Sequence, residues 1–288
     1  MLRSHSKKTV SRCFCRYNPL TSTKNLSPIK NFLKIIIKWF VAPLILFGLA
    51  TAILYFFTEP KQNSDWVVEH RLLASIDIQG DANNPSISVK NIRDFKWEST
   101  NKVHYQNMQF QLENIVELKA VVSHFSAISE IAHVFMIFVL DDGREFGVSV
   151  EARREVGEEF SIQGGLLAQF ELIYVLATPN DLLGIRKING ESTHLYPIKE
   201  TKEKARELFM LIAAEVNRLK EKPEMYHLFF KNCTNQLVKH VSILTEQKYP
   251  WYFQTLAPGN TAKTLYDFDL IDMPNMSFEE IQAKTLIQ

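Results

Sequence analysis

Cysteine is scarce in this chain of 288 residues. Cys13 and Cys15 stand near the start, and Cys233 is the third and last. Everything after residue 57 therefore holds a single thiol and can form no internal disulfide. The histidines show no H-E-x-x-H or Cys/His spacing, so no zinc site is expected. There is no G-x-G-x-x-G, no Walker loop and no G-x-S-x-G, which leaves dinucleotide, nucleotide and serine-hydrolase readings without support. No cofactor is expected. Acids are missing from residues 1–38, which carry nine of the 33 Lys and Arg residues and none of the 32 Asp and Glu residues. The remainder thus has 24 basic against 32 acidic residues. A body that is acidic on balance argues against nucleic acid as a partner, since phosphate binding needs a basic face.

Charge is also missing from Trp39 to Phe57, which reads WFVAPLILFGLATAILYFF over 19 residues. About 20 apolar residues are needed to cross a bilayer as a helix. Trp39, Tyr55, Phe56 and Phe57 sit at its ends, where aromatic rings favour the interface. A signal peptide would have a shorter apolar region and a small-residue cleavage site, and Leu54–Pro60 offers none. The reading is an uncleaved signal anchor over residues 35–57 in the cytoplasmic membrane. The basic flank puts the leader, 1–34, in the cytoplasm and the rest outside it. The leader has no apolar period and is expected to be disordered.

Residues 58–90 read as a linker and lead-in, with a loop at Gly80–Pro85. Strand patterns follow at Val103–Gln111, Ile115–Phe125 and Ile131–Leu140. Asp142-Gly143 turns the chain into a further strand, Glu145–Glu151, as a hairpin. Glu171–Thr178 reads as a strand, Pro179–Arg186 as a short helix, and Ser192–Ile198 as an edge strand marked by Pro197. Thr201–Lys222 has apolar residues at helical spacing and stops at Pro223. A second helix is expected over Cys233–Leu244, and residues 273–288 are a polar tail. The fold class is α+β, an antiparallel sheet with packed helices behind one transmembrane helix.

Cys233 falls where loop gives way to helix. Free N–H groups and the dipole at a helix start favour a thiolate, and the thiolate is the nucleophile. The same amides can hold an oxyanion. Asn232 can add a donor there or cap the helix. Against this stands the plain reading of a buried, inert cysteine. His133 interrupts an apolar strand, either as a satisfied core histidine or as a general base. Counting back from the hairpin turn places position 151 or 152 opposite it, so Glu151 reads as an orienting carboxylate or as an ordinary strand-end acid. Arg153 can contact substrate or form an ion pair. Tyr174 and Tyr226 can line a pocket or simply fill the core.

Several segments in order resemble the Lnb N-terminal periplasmic domain family: Asn91–Phe95, Ile131–Phe135, Ser149–Glu155, Phe170–Tyr174, Lys231–Thr234 and Leu265–Asp272. The similarity spans residues 91–272. It implies an extracytoplasmic, membrane-associated domain with a permuted papain-like (NlpC/P60-type) fold, because His133 precedes Cys233 in the chain. It also implies acyl transfer from a lipid or lipoprotein. In that scheme Cys233 carries the acyl group as a thioester, His133 moves the proton and Glu151 orients His133. The namesake is expected to carry more spans than the one seen here. An envelope amidase or peptidase using the same thiol, and a non-catalytic binding protein, are the other readings.

Overall fold

The computed structural model describes residues 32, 34–61, 63–97, 103–245 and 257–287. The leader, expected to be disordered, lies outside the described residues except for 32 and 34.

 Contacts divide the chain into two units, residues 1–49 and 50–288. Lys34–Phe57 is one helix of 24 residues with mean hydropathy 2.3, long and apolar enough to cross a membrane. It widens to a π-helix over Ile37–Val41 before continuing as α1 (Ala42–Phe57). Pro43, which lacks an N–H to donate, lies just past the widened turn.

The remainder is α+β, as expected. Among the described residues one sheet holds eight strands: β1 (Ser75–Gln79), β2 (Ser86–Arg93), β3 (Tyr105–Gln111), β4 (Ile115–His124), β5 (His133–Leu140), β6 (Glu145–Arg153), β7 (Glu171–Ala177) and β8 (Ser192–Pro197). Their order is β1-β2-β7-β6-β5-β4-β8, with β3 also on β2. All ladders are antiparallel except the single β2–β7 pairing at Arg93 and Ala177. The β5–β6 hairpin turns at Gly143, whose φ of +82° suits glycine. Strand β8 lies at the edge of the sheet order, where Pro197 is tolerated.

Two parts of the sheet were not legible from alternation. Strands β1 and β2 begin at Ser75 and Ser86, inside the stretch expected to be linker. Their polar residues face outward along a half-exposed edge, so the apolar signal is thin. The polar tail also contributes structure. Ser277 caps α7 (Phe278–Thr285), Ile281 is buried, and the Ile287 N–H donates to Thr193 on β8.

Helices cover the two faces unequally. Val134, Met136, Phe138 and Leu140 of β5 face the larger core with α4 (Lys202–Glu221) and α5 (Cys233–Thr245). Thr201 caps α4, as its sequence predicts, and Phe209 on that helix meets Phe138 and Phe146 edge-on and Phe110 at a tilt. Phe135 and Ile137 face the other way, with Leu182 of α3 (Pro179–Ile188). Gly147 lets α3 come close: a Cβ there would run into Leu182 Cδ1. Two short helices are α2 (Ile162–Leu166), between β6 and β7, and α6 (Thr261–Asp267), between α5 and the tail.

Candidate active site

Cys233 is the first residue of α5, as the apolar spacing after it predicts. Asn232 and Asn235 cap the helix reciprocally. The Asn235 N–H donates to Asn232 Oδ1 at 2.8 Å, and the Asn232 N–H donates to Asn235 Oδ1 at 2.9 Å. Asn232 Nδ2 donates to the Leu228 carbonyl at 2.6 Å. Of the two uses open to Asn232, the structure displays the cap.

Burial pushes the Cys233 thiol up from its ordinary value of 9.0. Hydrogen bonding from Thr234 and from the backbone of Val134, Thr234 and Cys233 pulls the other way and is outweighed. The expected lowering by the helix start is therefore present as a contribution but does not decide the sign. Desolvation of the anion is the larger effect.

His133 opens β5. By alternation with Phe135 it lies on the α3 face, whereas α5 packs on the opposite face. Strands β5 and β6 part at this end of the sheet. Their ladder ends at Phe135 and Ser149, two residues short of His133. Continuing that register puts Glu151 level with His133, as the hairpin count predicts. Cys233, His133 and Glu151 all line one cavity of about 860 Å³ at this end of the sheet.

The hydrogen bonds inside the cavity differ from those the sequence suggests. His133 Nε2 shares one with Ser149 Oγ at 2.7 Å. Burial, with the Arg186 charge, pushes His133 down to about 3, although Glu151 acts in the opposite direction. Glu151 accepts instead from His70 Nε2 at 3.1 Å, and His70 Nδ1 accepts from the Arg154 N–H at 3.1 Å. Arg93 Nη1 and Arg186 Nη2 stand 4.0 and 3.9 Å from the Glu151 carboxylate. Burial raises the Glu151 carboxyl, but the His70 hydrogen bond and the Arg93, His70 and Arg186 charges together hold it well below the usual range. Arg93 also grips the fully buried Asp181, with Nε and Nη2 donating at 2.9–3.1 Å. Asp181 further accepts from the Phe95 N–H at 2.8 Å.

The remaining sequence candidates separate. Tyr226 lines the cavity. Tyr174 is buried on the helix-covered face and shares a hydrogen bond with His240 at 3.1 Å. Arg153 is buried away from the cavity lining; it donates to Glu171 at 3.2 Å and stacks 3.9 Å from the Trp66 ring. Sequence reasoning did not single out His70, Arg93, Ser149, Asp181 or Arg186. The available signals were a serine inside an apolar strand and two charges, Asp181 and Arg186, on a short helix that packs against the sheet. Among the described residues no group of three or more His, Cys, Asp or Glu is placed to hold a metal ion.

The buried histidines set the acid limit of the fold. His133 and His240 are pushed to about 3 and about 4, in each case first by burial. Below pH 6.5 the unfolded chain binds protons that the folded chain refuses, so stability falls as pH falls. Each histidine contributes a slope of up to about 1.4 kcal/mol per pH unit between its unfolded and folded values. Denaturant titrations at pH 7.5, 6 and 5 should show loss beginning above the carboxylate range. His133→Gln should flatten part of that slope, and equal stability at pH 7.5 and 5 would contradict the burial argument.

The family model of the Lnb N-terminal periplasmic domain matches residues 101–265, more than half of the chain. No curated protein and no solved structure matches.

Proposed function

Because the chain belongs to the Lnb N-terminal periplasmic domain family, and so is an extracytoplasmic, membrane-associated protein, we propose that it transfers acyl groups from a lipid or lipoprotein through Cys233. The observation that carries this reading is the cavity shared by a helix-start thiol and a strand histidine, with apolar side chains at its wall. The thiol and the imidazole are both neutral at rest. A neutral thiol suits an oxidising compartment, because the reactive thiolate forms only when substrate is in place.

In this scheme His133 takes the Cys233 proton as the sulfur attacks the ester carbonyl of the donor. Backbone N–H groups at the start of α5 hold the oxyanion. The ester C–O bond breaks, and the leaving alkoxide takes the proton from His133. The thioester is then attacked by an acceptor amine, which gives its proton to His133. The C–S bond breaks, and the departing sulfur recovers that proton. One ester and one amine thus become one alcohol and one amide. Ser149 positions the imidazole, and Glu151, with His70, sets the charge beside it.

The test is mass spectrometry of lipoprotein N-termini from cells carrying the wild-type chain, Cys233→Ala or His133→Ala. The expected result is loss of the N-acyl product in both variants at unchanged protein level. An unchanged lipoprotein profile would remove the transacylation reading, and accumulation of uncleaved cell-wall peptides would favour the amidase alternative.

A further inference from the structure

Four apolar side chains that line the Cys233 cavity are also exposed: Phe125, Phe160, Ile162 and Phe229. Phe230, next in the chain and likewise exposed, extends the set. Water-facing aromatics gathered at the mouth of one cavity mark an interaction surface.

The end of the apolar helix indicates what that surface meets. Tyr55 and Phe56 lie in its last turn. Their rings stand 5.5 and 6.5 Å from the Phe230 ring. Tyr55 also meets His227 edge-on at 5.2 Å, and His227 stacks on Phe230 at 4.4 Å. Aromatic residues that end a span sit at headgroup depth. Phe230 and its neighbour Phe229 are therefore held at that depth by direct contact with the end of the span.

We propose that the rim formed by Phe125, Phe160, Ile162, Phe229 and Phe230 is seated in the membrane interface, so that the Cys233 cavity opens onto the bilayer. An acyl-bearing substrate then reaches the thiol from the lipid without crossing water. The seating stands on the rim and the span alone; the delivery of an acyl donor rests on the acyl-transfer reading.

The experiment uses the full chain in vesicles of phosphatidylethanolamine and phosphatidylglycerol. A photoreactive benzoylphenylalanine replaces Phe160 or Phe229, with Ile78, an exposed apolar residue on β1, as control. After irradiation, lipid adducts are measured by intact mass. The rim positions should give roughly tenfold more lipid adduct than Ile78. Adducts no more frequent than at Ile78, or adducts to a second protein chain alone, overturn the proposal. Lipid adducts at the rim in a protein that transfers no acyl group support the seating while removing the acyl-transfer reading.

Discussion

Cys233→Ser is expected to cut acyl transfer from vesicle-borne donor by on the order of a thousandfold or more. The hydroxyl is close in size and sits in the same helix start, so the reciprocal Asn232–Asn235 cap should survive. What changes is acidity. A neutral imidazole pushed to about 3 is a weak base, and burial already disfavours the anion at this position. A thiol can still surrender its proton there; an alcohol, far less acidic, cannot be activated to the same degree. The thermal midpoint should stay within a few degrees of wild type, separating lost chemistry from lost fold. Retained turnover in the serine variant would move the nucleophile elsewhere.

Asp181→Ala is expected to cost about 3–5 kcal/mol of stability, because it leaves the buried Arg93 guanidinium without the carboxylate to which it is hydrogen-bonded. Asp181 is fully buried, and its carboxylate accepts from Arg93, from the Phe95 N–H and from the Trp97 indole. It thereby fastens α3 to the end of β2. Arg93 and Arg186 both flank Glu151, so the loss should also disturb charge in the cavity. Removing both partners should cost less than the sum of the single changes, which a double-mutant cycle in denaturant reads directly. A loss below about 1 kcal/mol in Asp181→Ala would mean that the pair is not what holds α3 in place.

Elements with strong periodicity were legible in the sequence. The β5–β6 hairpin followed from two apolar runs around Asp142-Gly143, and α4 followed from its spaced apolar residues and its Thr201 cap. Cys233 at the start of α5 followed from the change in pattern after Asn232. Register by counting also brought Glu151 level with His133. Counting does not tell which polar atom fills the hydrogen-bond site on an imidazole. Ser149 lies on the same face two residues nearer the turn, and its hydroxyl takes that place. His70 was hidden for another reason: it comes from the stretch before β1, far from the hairpin in sequence, and only the folded chain brings it to Glu151. Arg93 and Asp181 lie 88 positions apart, beyond any local pattern. The sign of the thiol shift was hidden too, since helix position is local and burial is not.

If Cys233 carries the acyl group, His133 moves the proton that puts it there. The most direct measurement is intact-mass analysis of the full chain after brief exposure to donor lipid without acceptor amine. A fatty-acyl adduct on Cys233 that hydroxylamine removes is expected, with almost none in His133→Ala. An adduct that forms equally well without His133, or product formation with no thioester on Cys233, would contradict it.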